Sequence, residues 1–70
     1  MSIYSITAKF NPELSILKLL NDSPDGLNIK MISKEVGIHC SWVVKHLDSL
    51  VAKSKLKSIR VGKSKVFYVG

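Results

Sequence analysis

Gly37 separates two apolar stripes that are both spaced for a helix. Before it, Ile32 and Val36 stand four residues apart. After it, Val43, Leu47 and Leu50 recur at intervals of four and three, so each run buries one side of a helix. A glycine at this junction supplies the left-handed backbone that ends one helix and lets the chain turn tightly into the next. Asn28 is placed to cap the first of the two, which runs through Val36, and the second spans about His39 or Cys40 to Lys53. Ser33, four residues before Gly37, is small enough to let another helix cross closely.

A further helix precedes this pair. Asn11 can cap it, Pro12 suits its first position, and Glu13 complements the positive helix end. Leu14, Ile16, Leu17, Leu19 and Leu20 give it a broad apolar face. Ser23-Pro24-Asp25-Gly26 then forms a strong turn signal, which stops the helix near Asn21 or Asp22. Upstream, residues 3–10 read two ways. Tyr4, Ile6, Ala8 and Phe10 alternate with Ser5, Thr7 and Lys9, which favours a half-buried strand, while Ile3, Ile6 and Phe10 also fit one face of a helix.

The segment from Leu56 to Val69 is rich in strand formers and is broken once, at Val61-Gly62-Lys63-Ser64. This predicts a hairpin of two strands of roughly five residues, with Lys63, Ser64 and Lys65 at its tip. Its buried register stays open, because Val66, Phe67, Tyr68 and Val69 do not alternate. Seventy residues accommodate one domain, read as an N-terminal extension (1–10), a helical core (11–54) and the hairpin (55–70).

Charge is distributed unevenly along these parts. Residues 1–52 hold Lys9, Lys18, Lys30, Lys34 and Lys45 against Glu13, Asp22, Asp25, Glu35 and Asp48, which cancel. The rest of the chain holds Lys53, Lys55, Lys57, Arg60, Lys63 and Lys65 and no acid, so the whole net charge of +6 lies there. Such a patch is an electrostatic footprint for phosphate, although lysines also guard strand edges against aggregation. Cys40 is the only cysteine, which rules out a disulfide within one chain and fits a reducing compartment. Neither a signal-peptide pattern nor a run of roughly 18 apolar residues is present, so the expectation is a cytoplasmic protein with no membrane partner.

Catalysis has no footing in these residues. The sequence contains no Gly-rich phosphate loop, no paired carboxylates at useful spacing, and no nucleophile with a base and an orienting acid. His39, Cys40 and His46 raise the question of a metal, but His39 and Cys40 are adjacent and His46 points about a third of a turn from Cys40. The expectation is therefore a non-enzyme with no metal, cofactor or small-molecule ligand.

Gly37-Ile38, then Ser41, Val43, Lys45-His46-Leu47 and Leu50, followed by Gly62-Lys63 and Tyr68, resembles the DNA-binding core of the ArsR/MarR-like transcriptional regulators. The likeness covers about residues 12–69. It implies an α+β, mostly helical fold, a three-helix winged helix-turn-helix with a C-terminal β-hairpin wing. It also implies sequence-specific binding of double-stranded DNA in transcriptional regulation. The helix over about 39–53 would enter the major groove and present Cys40, Ser41, Trp42, Val44, Lys45 and Asp48. Arg60, Lys63, Ser64 and Lys65 of the wing would contact the backbone, with Lys30 and Lys34 as secondary phosphate contacts.

Three positions depart from the family pattern. Cys40 and Trp42 replace small polar residues, and Trp42 would pack on sugar-phosphate or cover a partner subunit. Asp48 would accept from a cytosine amino group or pair with Lys45 or a neighbour. Ser54 stands where a glycine usually ends the helix. The alternative function is that of a winged-helix protein–protein module within a larger complex, favoured by Trp42 and Val44 and disfavoured by the hairpin cations. A homodimer is expected, because the core is small for a free-standing domain and Ile3, Tyr4, Ile6 and Phe10 lie outside the unit that begins at Asn11.

Overall fold

The computed structural model describes residues 3–69, and two of its helices begin at the caps that Asn11 and Asn28 offer. In α2 (Pro12–Asn21) the Asn11 side chain accepts the Leu14 N–H at 3.1 Å and Pro12 occupies the first turn. Asn28 does the same for α3 (Ile29–Val36), accepting the Met31 N–H at 2.8 Å. Each such cap contributes about 1 kcal/mol by satisfying an otherwise orphaned amide. Gly37, at φ +71°, ends α3 and donates its N–H to Ser33 O at 2.9 Å. The Ser33 hydroxyl donates to the Ile38 carbonyl, so this small side chain also closes the turn.

The next helix, α4 (Cys40–Ala52), starts at His39, whose Nδ1 accepts the Ser41 N–H at 3.2 Å. Its C-terminus closes with two bonds of the Schellman pattern. The Ser54 N–H donates to Val51 O at 3.0 Å and the Lys55 N–H to Leu50 O at 2.9 Å. Ser54 sits at φ +61°, so it takes up the left-handed conformation that a glycine would adopt without strain.

Residues 3–10 correct the strand expectation. They form a helix, α1 (Ile3–Ala8), so the described residues hold four helices rather than three. The deciding pair is Tyr4 and Ala8, four apart, which pack on the core while Ile6 and Phe10 remain exposed. Alternation places all four on one face; helical spacing keeps Tyr4 with Ala8 and turns Ile6 and Phe10 away from them. The fully buried Ser15 hydroxyl donates to the Tyr4 carbonyl, and the Tyr4 hydroxyl donates to Asp22 Oδ2 at 2.6 Å. The extension thus lies against α2 and α3 of its own chain.

The hairpin strands, β2 (Lys57–Val61) and β3 (Ser64–Tyr68), flank a Gly62-Lys63 turn. Both have five residues, as expected, but Ser64 and Lys65 open β3 rather than lie at the tip. A third strand adds to the expected hairpin. β1 (Leu27–Asn28) pairs antiparallel with β3, Leu27 opposite Phe67 and Asn28 opposite Val66, which gives the order β1-β3-β2. Two residues carry no periodicity, and the pairing partner lies forty positions away, so nothing local announces it. Gly26 permits the approach: a Cβ there would lie 2.7 Å from Val66 Cγ1 and 2.8 Å from Phe67 O.

Ile16, Leu19 and Leu20 of α2, Ile32 and Val36 of α3, and Val43, Leu47 and Leu50 of α4 meet in one core. Leu56 and Phe67 close it from the sheet side. Leu14, expected on the apolar face of α2, is exposed. No described helix is long and apolar enough to cross a membrane.

Candidate nucleic-acid interface

Burial of Val43, Leu47 and Leu50 fixes which residues α4 turns outward. Cys40, Ser41, Trp42, Lys45 and Asp48 are exposed, as the helical period requires, whereas Val44 is half-buried. Trp42 is 58% exposed, and the Lys45 ammonium lies over its ring, 5.1 Å from the centroid. A cation–π contact at an exposed site is worth about 0.5–1 kcal/mol, enough to bias Lys45 toward the indole. Asp48 makes no ion pair among the described residues, so the Lys45–Asp48 pairing considered from the sequence does not form.

The start of α4 holds a small polar arrangement. His39 Nδ1 lies 2.9 Å from Ser41 Oγ as well as accepting the Ser41 N–H. With that nitrogen unprotonated, the hydroxyl donates to the ring and is turned toward the cap. His46 lies elsewhere, its Nδ1 3.8 Å from Glu13 Oε2, while Lys53 Nζ donates to Glu13 Oε1 at 3.2 Å. Glu13 thereby ties α2 to α4. Cys40 is a free, exposed thiol, and among the described residues no three His, Cys, Asp or Glu side chains gather as metal ligands.

Strand register organises the second group. Arg60 pairs with Lys65 and Ser58 with Phe67, and partners directly opposite share a face, as do residues two apart. Arg60 and Lys65 therefore project on the face that carries the buried Phe67. The Lys65 ammonium lies 5.5 Å from the Phe67 ring centroid. Lys63 occupies the turn and Ser64 the first position of β3; Arg60, Lys63, Ser64 and Lys65 are all exposed.

Pairing of β1 with β3 brings the start of α3 beside this hairpin. Asn28, Ile29 and Lys30 on one side and Lys63, Ser64 and Lys65 on the other line an open depression of about 330 Å³. Lys30 is thus gathered with the hairpin cations. Lys34, one turn further along α3, does not line the depression, and neither do Arg60 nor any α4 residue. Sequence reasoning missed Asn28 and Ile29 as members of the site, since their role depends on the unanticipated β1. No protein-family model matches the chain, nor does any curated protein.

Proposed function

We propose that the chain is a winged helix-turn-helix module that binds double-stranded DNA sequence-specifically and acts in transcriptional regulation in the cytoplasm. One observation carries this reading. Among the described residues, Lys55, Lys57, Arg60, Lys63 and Lys65 are all exposed and none is ion-paired, and Lys53 alone of the cations after residue 52 has a carboxylate partner, Glu13. Unpaired cations this dense repel one another, and a phosphate backbone relieves that repulsion while releasing its own counterions. In this reading α4 enters the major groove with Ser41, Lys45 and Asp48 toward base edges and Trp42 against sugar-phosphate. The hairpin is the wing on the neighbouring backbone. Half-buried Val44 contributes less than its neighbours.

The test is a fluorescence titration of Trp42, the only tryptophan, with selected-site and random duplexes at two salt concentrations. Micromolar or tighter affinity that falls steeply with salt is expected. Lys45→Ala should cost about 1–3 kcal/mol on the selected site and less on random DNA. Affinity that stays flat with salt would overturn the reading.

The DNA-bound form is proposed to be a homodimer. Ile3, Ile6 and Phe10 of the extension are exposed, Phe10 at 86%, and Leu14 adds to them at the start of α2. On a palindromic site, a dimer paired through this face would need its two α4 helices about 34–36 Å apart. Sedimentation should show a dimer that Phe10→Asp dissociates; a monodisperse monomer of the intact chain at tens of micromolar contradicts it. The exposure of Trp42 also favours a second reading, a protein–protein module. That reading gains if Trp42→Ala disrupts capture of a protein partner while duplex binding is absent.

A further inference from the structure

We infer that the depression between α3 and the hairpin is a seat for a single phosphate oxyanion, gripped from both elements at once. Its assignment to a nucleic-acid phosphodiester rests on the function proposed above; its preference for an oxyanion does not. Every polar side chain lining it can present donors. Lys30 and Lys63 bring ammonium groups, and Lys65, whose ammonium lies 5.5 Å from the Phe67 ring centroid, adds a third by swinging off that ring; none of the three is ion-paired among the described residues. Ser64 brings a hydroxyl. The Asn28 side-chain oxygen is committed to the Met31 N–H, which leaves its amide NH₂ to donate. Ile29 is the one apolar member, and no carboxylate lines the space, so a metal cation has no ligand there.

Convergence of these lysines is imposed by the backbone. Lys30 lies more than thirty residues before Lys63 in the chain, and the two meet because Asn28 pairs with Val66, two residues from Ser64. Like charges gathered this way repel unless an anion lies among them. Lys34 would share the charge of Lys30 without sharing the seat. A phosphate held here would bridge α3 to the hairpin tip and fix the wing relative to the helices.

Two measurements test this on the full chain. The first is a double-mutant cycle on a random-sequence duplex with Lys30→Gln, Lys65→Gln and both together. Each single change should weaken binding about threefold to tenfold, and the double should lose less than the product of the two. Lys34→Gln serves as the outside comparison, with a smaller loss and multiplicative behaviour toward Lys65→Gln. The second is a titration with inorganic pyrophosphate, read from the backbone amide resonances of Ile29, Lys30, Ser64 and Lys65. Saturable shifts in the unaltered protein, lost in the double variant, are expected.

A non-additive cycle without pyrophosphate shifts assigns the seat to the nucleic-acid backbone. Pyrophosphate shifts with a multiplicative cycle, or without any duplex binding, assign it to a free phosphate compound; in the latter case the DNA-binding function fails while the seat stands. A multiplicative cycle and unmoved amides overturn the seat, even where duplex binding is intact.

Discussion

Arg60 and Lys65 stand directly opposite one another across the hairpin, on the face that carries Phe67. Same-sign charges in that position destabilise a strand pair, whereas opposite charges contribute roughly 0.2–1 kcal/mol. Arg60→Glu is therefore expected to raise the melting temperature by a few degrees, since about 1 kcal/mol moves a domain of this size by ~4–8 °C. The same change should weaken duplex binding about tenfold or more at low salt. Circular-dichroism melting and a binding titration check the two halves. A parallel fall in stability and affinity would show that Arg60 supports the fold instead.

Ser54 holds a left-handed backbone at φ +61° inside the cap that ends α4. A residue with a Cβ loses about 1 kcal/mol in that conformation relative to glycine. Ser54→Gly should add about that much to unfolding stability in urea with an unchanged slope against denaturant, and Ser54→Val should subtract from it.

Much of the fold was legible because its signals are local. Asn11, Asn28 and Gly37 mark helix ends through chemistry confined to a few residues, and Val43, Leu47 and Leu50 declare their face by spacing alone. The outward set on α4 follows from that stripe. Three features escaped for a common reason, which is that each is settled by contacts far along the chain. Tyr4 becomes half-buried through Ser15 and Asp22, which the alternation of residues 3–10 cannot report. β1 exists only because β3 passes beside it. Lys30 joins the hairpin cations through that same pairing, which separates it from Lys34, its equivalent by residue type and helical spacing.

Gly26 lies against β3 with no room for a side chain and at φ +81°. Gly26→Ala is expected to cost about 2–4 kcal/mol, combining backbone strain with displacement of Val66 and the Phe67 carbonyl. The loss should appear first as faster amide exchange at Leu27 and Phe67, before the helices respond. Equal loosening of α2 would instead mean that the substitution unfolds the whole domain.

Tyr4 makes part of the fold's stability sensitive to alkali. Its phenol is held above the ordinary value of 10.0, first by the hydrogen bond to Asp22, then by desolvation and by the charges of Asp22 and Glu35. The folded state thus binds the proton more tightly than the unfolded chain does. The associated stability is fully present below about pH 10, and is lost as pH rises from there through the folded value. Tyr4→Phe should therefore lower the melting temperature at pH 8 and converge toward the unaltered protein above pH 10. Asp22→Asn should bring the Tyr4 ultraviolet titration down to an earlier pH.

The sheet order β1-β3-β2 places in the middle the strand that is synthesised after both of its neighbours. Until residue 67 has left the ribosome, Leu27 has no partner strand and the helical core lacks the ring that covers it. The helices can form one by one as they emerge, but the sheet cannot be assembled piecemeal from either side. Closure waits on a contact spanning forty residues, the kind of long-range pairing that slows folding. A chain interrupted before β3 is complete would therefore expose the apolar core that Phe67 covers and leave β1 and β2 with no strand between them.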